Sequence, residues 1–318
     1  MDYEFFVEEF IEGLKKSLEW EVADMKRQPV VKINEKKEAL SIYLKGEDMS
    51  LVLYLDDIYG YSRGNHLSAG DMAEQVAFDL KNMGEGWRKT PELTREGMEK
   101  NLYCAVINAG ENKDFLRHVP HIKMQDLAVI ARYRVAKDAS AVVTDIMCSY
   151  AKMTGEEALD VARQNTELQG FQVRPMDEML RSYMKESGMP EQYIEEYLPY
   201  GEMPALWVVT DKQGHEGAAA MFSQKTMQEA RKKLGEDFYI LPSSRHELIL
   251  VPESFTDDGN ALQECVKQAN REYTGKKDRL SDHVYHYDGK THLLSMLPDQ
   301  MPSRTKGMGK DKLRGRRH

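Results

Sequence analysis

From residue 205 to 296 the sequence is the most legible part of the chain, its short apolar runs, polar breaks and amphipathic stretches reading in the order strand, strand, helix, strand, strand, helix, hairpin. ALWVVTDKQGHEGAAAMF reads as strand, glycine-containing turn and strand. Ser223 can cap a helix running through Leu234, and YILPS and HELILVPE read as two more strands. Asp258 can cap a helix carrying Leu262, Val266, Ala269 and Tyr273. HVYHYDGKTHLLSM then closes as a hairpin about Asp288-Gly289, the dipeptide a two-residue type I′ turn prefers. Short links between neighbouring strands favour antiparallel pairing, so the expected class is α+β: mostly antiparallel sheets with packed helices, in two subdomains.

The rest of the chain supports that class. Phe6, Phe10, Leu14 and Leu18 recur every four residues and predict an amphipathic helix over 3–20 whose stripe seeks a sheet. VVKIN (30–34) and ALSIYLK (39–45) read as strands joined by the polar turn Glu35-Lys36-Lys37, and Met72, Val76, Leu80 and Met83 mark a second helix, followed by a loop over 84–92. Further on, 94–101 reads as helix, 103–109 as a buried strand, 111–118 as a helical turn and MQDLAVIARYRV as a longer strand. A strand at 141–144 runs into a helix, Thr154 and Glu157 form a capping box for a helix ending near Asn165, and Pro175 and Pro190 open two more. The organisation expected is an N-terminal helix plus small sheet (1–92), a central mixed α/β and helical region (93–200), a C-terminal antiparallel α+β domain (201–298) and a disordered basic tail (299–318).

Charge separates that tail from the body. The 318 residues sum to -9, yet SRTKGMGKDKLRGRRH carries Arg304, Lys306, Lys310, Lys312, Arg314, Arg316 and Arg317 against Asp311 alone, which makes this stretch +6 and the remainder -15. An acidic body is a poor partner for phosphate backbones, so weak nucleic-acid contact is expected only through those seven cations. Cys104, Cys148 and Cys265 lie far apart without CxxC spacing and read as buried thiols. MDYEFFVEEF has acids where a secretory signal has lysine or arginine, and no run approaches a membrane span; the expected location is cytoplasmic.

The densest chemistry is in LPSSRHELILVPES (241–254), where Ser243, Ser244, His246 and Glu247 stand close together. A nucleophilic serine needs a base within reach and a third group orienting that base. A strand from Arg245 to Val251 would turn His246 and Glu247 to opposite faces, and no GxSxG elbow presents either serine. A structural histidine at a core edge is therefore the first reading, and a catalytic one the alternative. His118, His121 and Asp126 in RHVPHIKMQD offer ligand types, but Pro120 disrupts the i,i+4 spacing a helical zinc pair needs. In the hairpin, Tyr285 would pair with His292 and His283 with Leu294, giving an aromatic ladder more readily than a stacking surface. Tyr54, Tyr59 and Tyr61 could line a groove, with helix-to-core packing the first reading. No phosphate loop, GxGxxG, calcium loop or two-carboxylate spacing is present, so neither cofactor nor metal is expected.

Read in order, YLDDIY, the block from Asn112 to His121, MTGEEALDVARQNT and YILPSSRHELILVPES resemble the bacterial family labelled domain of unknown function 5688. More distantly, 205–251 is similar to another uncharacterised bacterial cytoplasmic family. The resemblance spans the chain to about residue 296 and implies no reaction. It points to Pro120, His121, Asp126, Asn165, Ser243, Ser244, His246 and Glu247 as positions matching the family's motifs. The expected function is binding or interaction with a partner. The alternative is an undescribed enzyme, such as a hydrolase, with His121 or His246 as general base and Asp126, Ser243, Ser244 or Glu247 nearby.

Overall fold

The computed structural model describes residues 2–18, 21–46, 50–82, 93–136, 139–199, 201, 205–212, 214–242, 244–256 and 258–299. The basic tail, the loop expected over 84–92 and Ser243 lie outside them. The fold is α+β with antiparallel sheets, as expected, in two compact units, 1–168 and 169–318.

In the first unit, helix α1 (Tyr3–Leu18) buries Phe6, Phe10, Leu14 and Leu18 against Leu40, Ile42, Met72, Ala73 and Leu80. These partners come from a three-stranded sheet, β1 (Val22–Lys32), β2 (Glu35–Leu44) and β3 (Ser50–Tyr54), and from α3 (Ala69–Asn82), which follows α2 (Leu55–Asn65). The β1–β2 hairpin is longer than the apolar runs suggested. Lys32 pairs with Glu35, so the turn is Ile33-Asn34 and not Glu35-Lys36-Lys37. Asn34 takes φ 61°, a left-handed position asparagine tolerates, and buried Asn112 clasps it from both sides: its Oδ1 accepts the Asn34 N–H at 2.7 Å and its Nδ2 donates to Asn34 Oδ1 at 2.6 Å.

A second sheet follows α4 (Arg95–Asn101). Strand β4 (Leu102–Asn108) pairs with β6 (Leu127–Ala136), which also pairs with β5 (His121–Met124) and β7 (Ala139–Val142). After the short α5 (Asp145–Tyr150) comes α6 (Gly155–Gln169), four residues longer than expected, with the capping box formed: Thr154 N–H donates to Glu157 and Glu157 N–H to the Thr154 hydroxyl.

The second unit holds one sheet of six strands in the order β13-β12-β10-β11-β9-β8. The chain enters through β8 (Gln172–Pro175), continues into α7 (Met176–Glu186) and α8 (Glu191–Tyr197), and returns as β9 (Trp207–Thr210). GAAAMF, expected as a strand, is a 3-10 helix over Gly217–Phe222. Its first N–H groups donate to the His246 and Arg245 carbonyls, and a Cβ on Gly217 would collide with the His246 carbonyl and, at 2.7 Å, the Thr210 Cα. Only glycine permits so close an approach. Helix α9 (Gln224–Leu234), β10 (Phe238–Leu241), β11 (Glu247–Pro252) and α10 (Gly259–Glu272) lead to the closing hairpin, β12 (Tyr285–Asp288) and β13 (Leu293–Met296). Ser223 and Asp258 cap α9 and α10 as expected.

The hairpin register differs from the two-residue turn. Tyr285 pairs with Met296 and Asp288 with Leu293, so four residues, 289–292, make the loop. Asp288 Oδ1 accepts from the Lys290 and Thr291 N–H groups, an Asx-type turn that replaces the type I′ geometry, and His292 sits at φ 57°. Tyr285 and Tyr287 are buried; Tyr287 stacks on Phe238 with 5.1 Å between centroids and its hydroxyl meets His292 Nδ1 at 3.0 Å.

Candidate functional site

Strand β11 starts at Glu247, so Arg245 and His246 lie just before it and escape the alternation that would turn them apart. Both reach Asp278. Arg245 Nε donates to Asp278 Oδ1 at 3.0 Å and Nη1 to Glu216 Oε1 at 2.8 Å, while His246 Nε2 lies 3.2 Å from Asp278 Oδ1. Backbone pairing sets this convergence: Arg245 N–H donates to the Asp278 carbonyl, and Ser244 bridges Arg279. Burial would raise the Asp278 carboxyl, but the Arg245 guanidinium and His246 outweigh it and hold the carboxyl below its ordinary range.

The other ring nitrogen of His246, Nδ1, donates to the His215 carbonyl at 2.8 Å. Both nitrogens thus face oxygen acceptors, and no lone pair is presented outward to take a proton from a nucleophile. The buried Ser244 hydroxyl accepts from the His246 N–H at 3.0 Å rather than facing the ring, and Glu247 is exposed, paired across the sheet with Thr210. Ser244, Arg245 and His246 therefore work as a clasp that ties His215, Glu216, the 3-10 helix and the 275–281 segment to the mouth of β11.

The nucleophile, base and acid types do meet at a second place that spacing did not reveal. Ser281 Oγ lies 3.5 Å from His283 Nδ1, and His283 Nε2 lies 3.2 Å from Asp299 Oδ1. Ser281 is 2 % exposed and its Oγ already accepts the His283 N–H at 2.9 Å. A carbonyl substrate has no approach to that oxygen, so this set also fastens chain segments together.

In the first unit, His121 is exposed on the edge strand β5, with Nδ1 against the Val119 carbonyl at 2.8 Å. Asp126 stands in the β5–β6 turn, where its carbonyl accepts from the Ala109 N–H. Pro120 packs on the start of α6, where a Cβ on Gly155 would come within 2.8 Å of its ring. Asn165 donates to the Glu99 and Leu102 carbonyls, and the Thr166 hydroxyl accepts the Cys104 N–H. The matched motif positions with interactions of this kind are fasteners between elements. Cys104 and Cys148 are buried and Cys265 is exposed, which corrects the expectation of three buried thiols; burial pushes the Cys104 thiol up to about 11. Among the described residues, no group of three or more histidines, cysteines or acids is placed to hold a metal ion, and no helix is long and apolar enough to cross a membrane.

The tyrosines read from YLDDIYGYSRG are divided: Tyr59 packs edge-on against Tyr3 and Phe6, Tyr54 lies under Lys32, and Tyr61 is exposed. A second exposed group was not singled out in the sequence. On α8, Ile194 and Leu198 turn inward while Tyr193 and Tyr197 stand outward at 46 % and 68 % exposure, with Tyr183 on α7 at 71 %. Tyr193 and Tyr197, four apart, share one side of the helix with Glu196 beside them. Arg181, buried on α7, donates to the Leu198 carbonyl and so secures the end of α8. The i,i+4 tyrosines of EQYIEEY were visible in the sequence; their exposure follows from which side Ile194 occupies.

No curated protein and no solved structure matches the chain significantly. One family does match, a family of unknown function, DUF5688, over residues 3–289. With nearly the whole chain covered and the clasped motif residues inside the match, the chain belongs to that family.

Proposed function

We propose that this protein is a cytoplasmic binding protein whose recognition surface is the tyrosine-bearing side of α8, and that its ligand is a basic stretch of polypeptide. The observation carrying this reading is the pair of outward tyrosines, Tyr193 and Tyr197, with Glu196 on the same side of α8; Glu195 and Glu191, the latter paired with Lys185 at 2.9 Å, lie on the other side of the helix. Tyrosine offers large contact area and a polar tip at small entropic cost, which is why it recurs at the energetic centres of interfaces. Its ring face also attracts lysine and arginine. The hydrolase alternative has less support, because His246, the better placed base, spends both ring nitrogens on oxygen acceptors.

The test is anisotropy of a fluorescein-labelled peptide of alternating arginine and glycine, titrated with the full chain at low ionic strength. Binding should saturate, weaken at least about fivefold (about 1 kcal/mol) in Tyr193→Ala/Tyr197→Ala, and stay unchanged in His121→Ala. If the double substitution leaves the titration curve where it was, the surface is misassigned.

A further inference from the structure

We infer that the first unit receives an extended acidic segment of a partner polypeptide as an added strand along β5, a surface separate from α8. One flank of the second sheet is closed and the other open. On the closed flank, β4 turns its outer edge to α6, where the Thr166 hydroxyl takes the Cys104 N–H. On the open flank, β5 and β7 lie end to end along β6: His121 and Lys123 pair with Ile130 and Ala128, and Ser140 and Val142 with Arg134 and Arg132.

The register decides where their backbone groups point. Val143 N–H donates to the Ala131 carbonyl, so the odd-numbered residues of β6 bond to this flank and the even-numbered ones to β4. The partners of the even-numbered residues, Ser140, Val142, His121 and Lys123, therefore turn N–H and C=O outward. They stand opposite residues 134, 132, 130 and 128 in turn, a line about 20 Å long. Among the described residues no strand pairs with that line. Such an edge is a template for another strand, which gains main-chain hydrogen bonds at each outward residue.

Side chains decide which strand fits. The four strands carry Lys123, Arg132 and Arg134 and neither aspartate nor glutamate, Asp126 standing outside them in the β5–β6 turn. All three cations lie on one face, because Lys123 pairs with Ala128, and Arg132 and Arg134 alternate with it along β6. Arg134 lies over the Tyr103 ring and Arg132 donates to the Ser140 hydroxyl, whereas Lys123 is exposed with no carboxylate partner among the described residues. The opposite face offers Ile122, 47 % exposed. An antiparallel strand with acids at alternate positions sets one acid beside Lys123 and an apolar side chain beside Ile122. A second copy pairing edge to edge would bring the same cations together on one face, which makes it the poorer occupant.

The test is anisotropy of a fluorescein-labelled octapeptide of alternating glutamate and valine, titrated with the full chain at low ionic strength. Binding should saturate, weaken about fivefold in Lys123→Glu, and stay unchanged in Tyr193→Ala/Tyr197→Ala, with far-ultraviolet circular dichroism confirming each fold. N-methylation of the glutamates, whose N–H groups face β5 in this register, should remove binding, and N-methylation of the valines should leave it intact. Equal loss from both methylated peptides, or loss from neither, overturns strand addition. Unchanged affinity in Lys123→Glu puts the peptide away from β5, and a titration that never saturates excludes the acidic segment; either result overturns the inference. If the unaltered chain sediments as a dimer and Lys123→Pro, which deletes an outward N–H, as a monomer, a second copy holds the edge and the acidic segment is again overturned.

Discussion

Asp278 collects Arg245 and His246 on one oxygen, and its depressed carboxyl makes the clasp sensitive to acid. A carboxyl lower in the folded than in the unfolded chain contributes stability that is complete above the unfolded value, about 3.9, and lost as pH falls through the folded value. Asp278→Asn should therefore lower the urea midpoint at pH 7, and the gap between the two proteins should close as pH drops below about 4. A gap constant from pH 7 to pH 2 would show that the charge is not what Asp278 contributes. Asn112 offers a second test at this scale. Replacing it with alanine strips partners from the buried Asn34 turn and should cost about 1–3 kcal/mol in denaturant unfolding, whereas exposed His121→Ala should stay within about 0.5 kcal/mol. The identities of these residues were conspicuous in the sequence, but their roles were not. Asn112 clasps Asn34, 78 positions away, and a pair so remote leaves no local signature.

Elements were legible where their ends carry chemistry of their own. The Thr154–Glu157 box, the Ser223 and Asp258 caps, and the stripe on α1 each turned out as read, because every one depends on residues within a few positions of one another. GAAAMF failed for the opposite reason. An apolar run of six is compatible with strand or helix, and the decision came from His246 and Arg245 carbonyls awaiting N–H donors. Gly217→Ala, forced against the Thr210 Cα and the His246 carbonyl, should destabilise the second unit by about 1–3 kcal/mol in thermal or denaturant unfolding. A variant as stable as the parent would show that the 3-10 helix can shift away from β9. In the closing hairpin, Asp288 and Gly289 marked the turn correctly and its length wrongly, since Asp288 used its side chain to hold a four-residue loop.

Across the whole molecule, charge was the most legible property. With a body at -15 and a segment at +6, we predict that any duplex DNA binding at low salt runs through 303–318. Deleting that segment should abolish electrophoretic retardation of a short duplex. The affinity of the unaltered chain should fall steeply as salt is raised. Retardation that survives the deletion would place the cationic surface elsewhere. Periodicity, caps and charge asymmetry are properties of neighbours along the chain, and so the sequence by itself determined the α+β class, the principal helices and the division between acidic body and basic segment. Tertiary structure alone decided that both ring nitrogens of His246 face oxygen acceptors and neither faces a nucleophile. Its two acceptors come from His215 and Asp278, some thirty residues away in each direction, and only the pairing of backbone around β11 brings them to the ring.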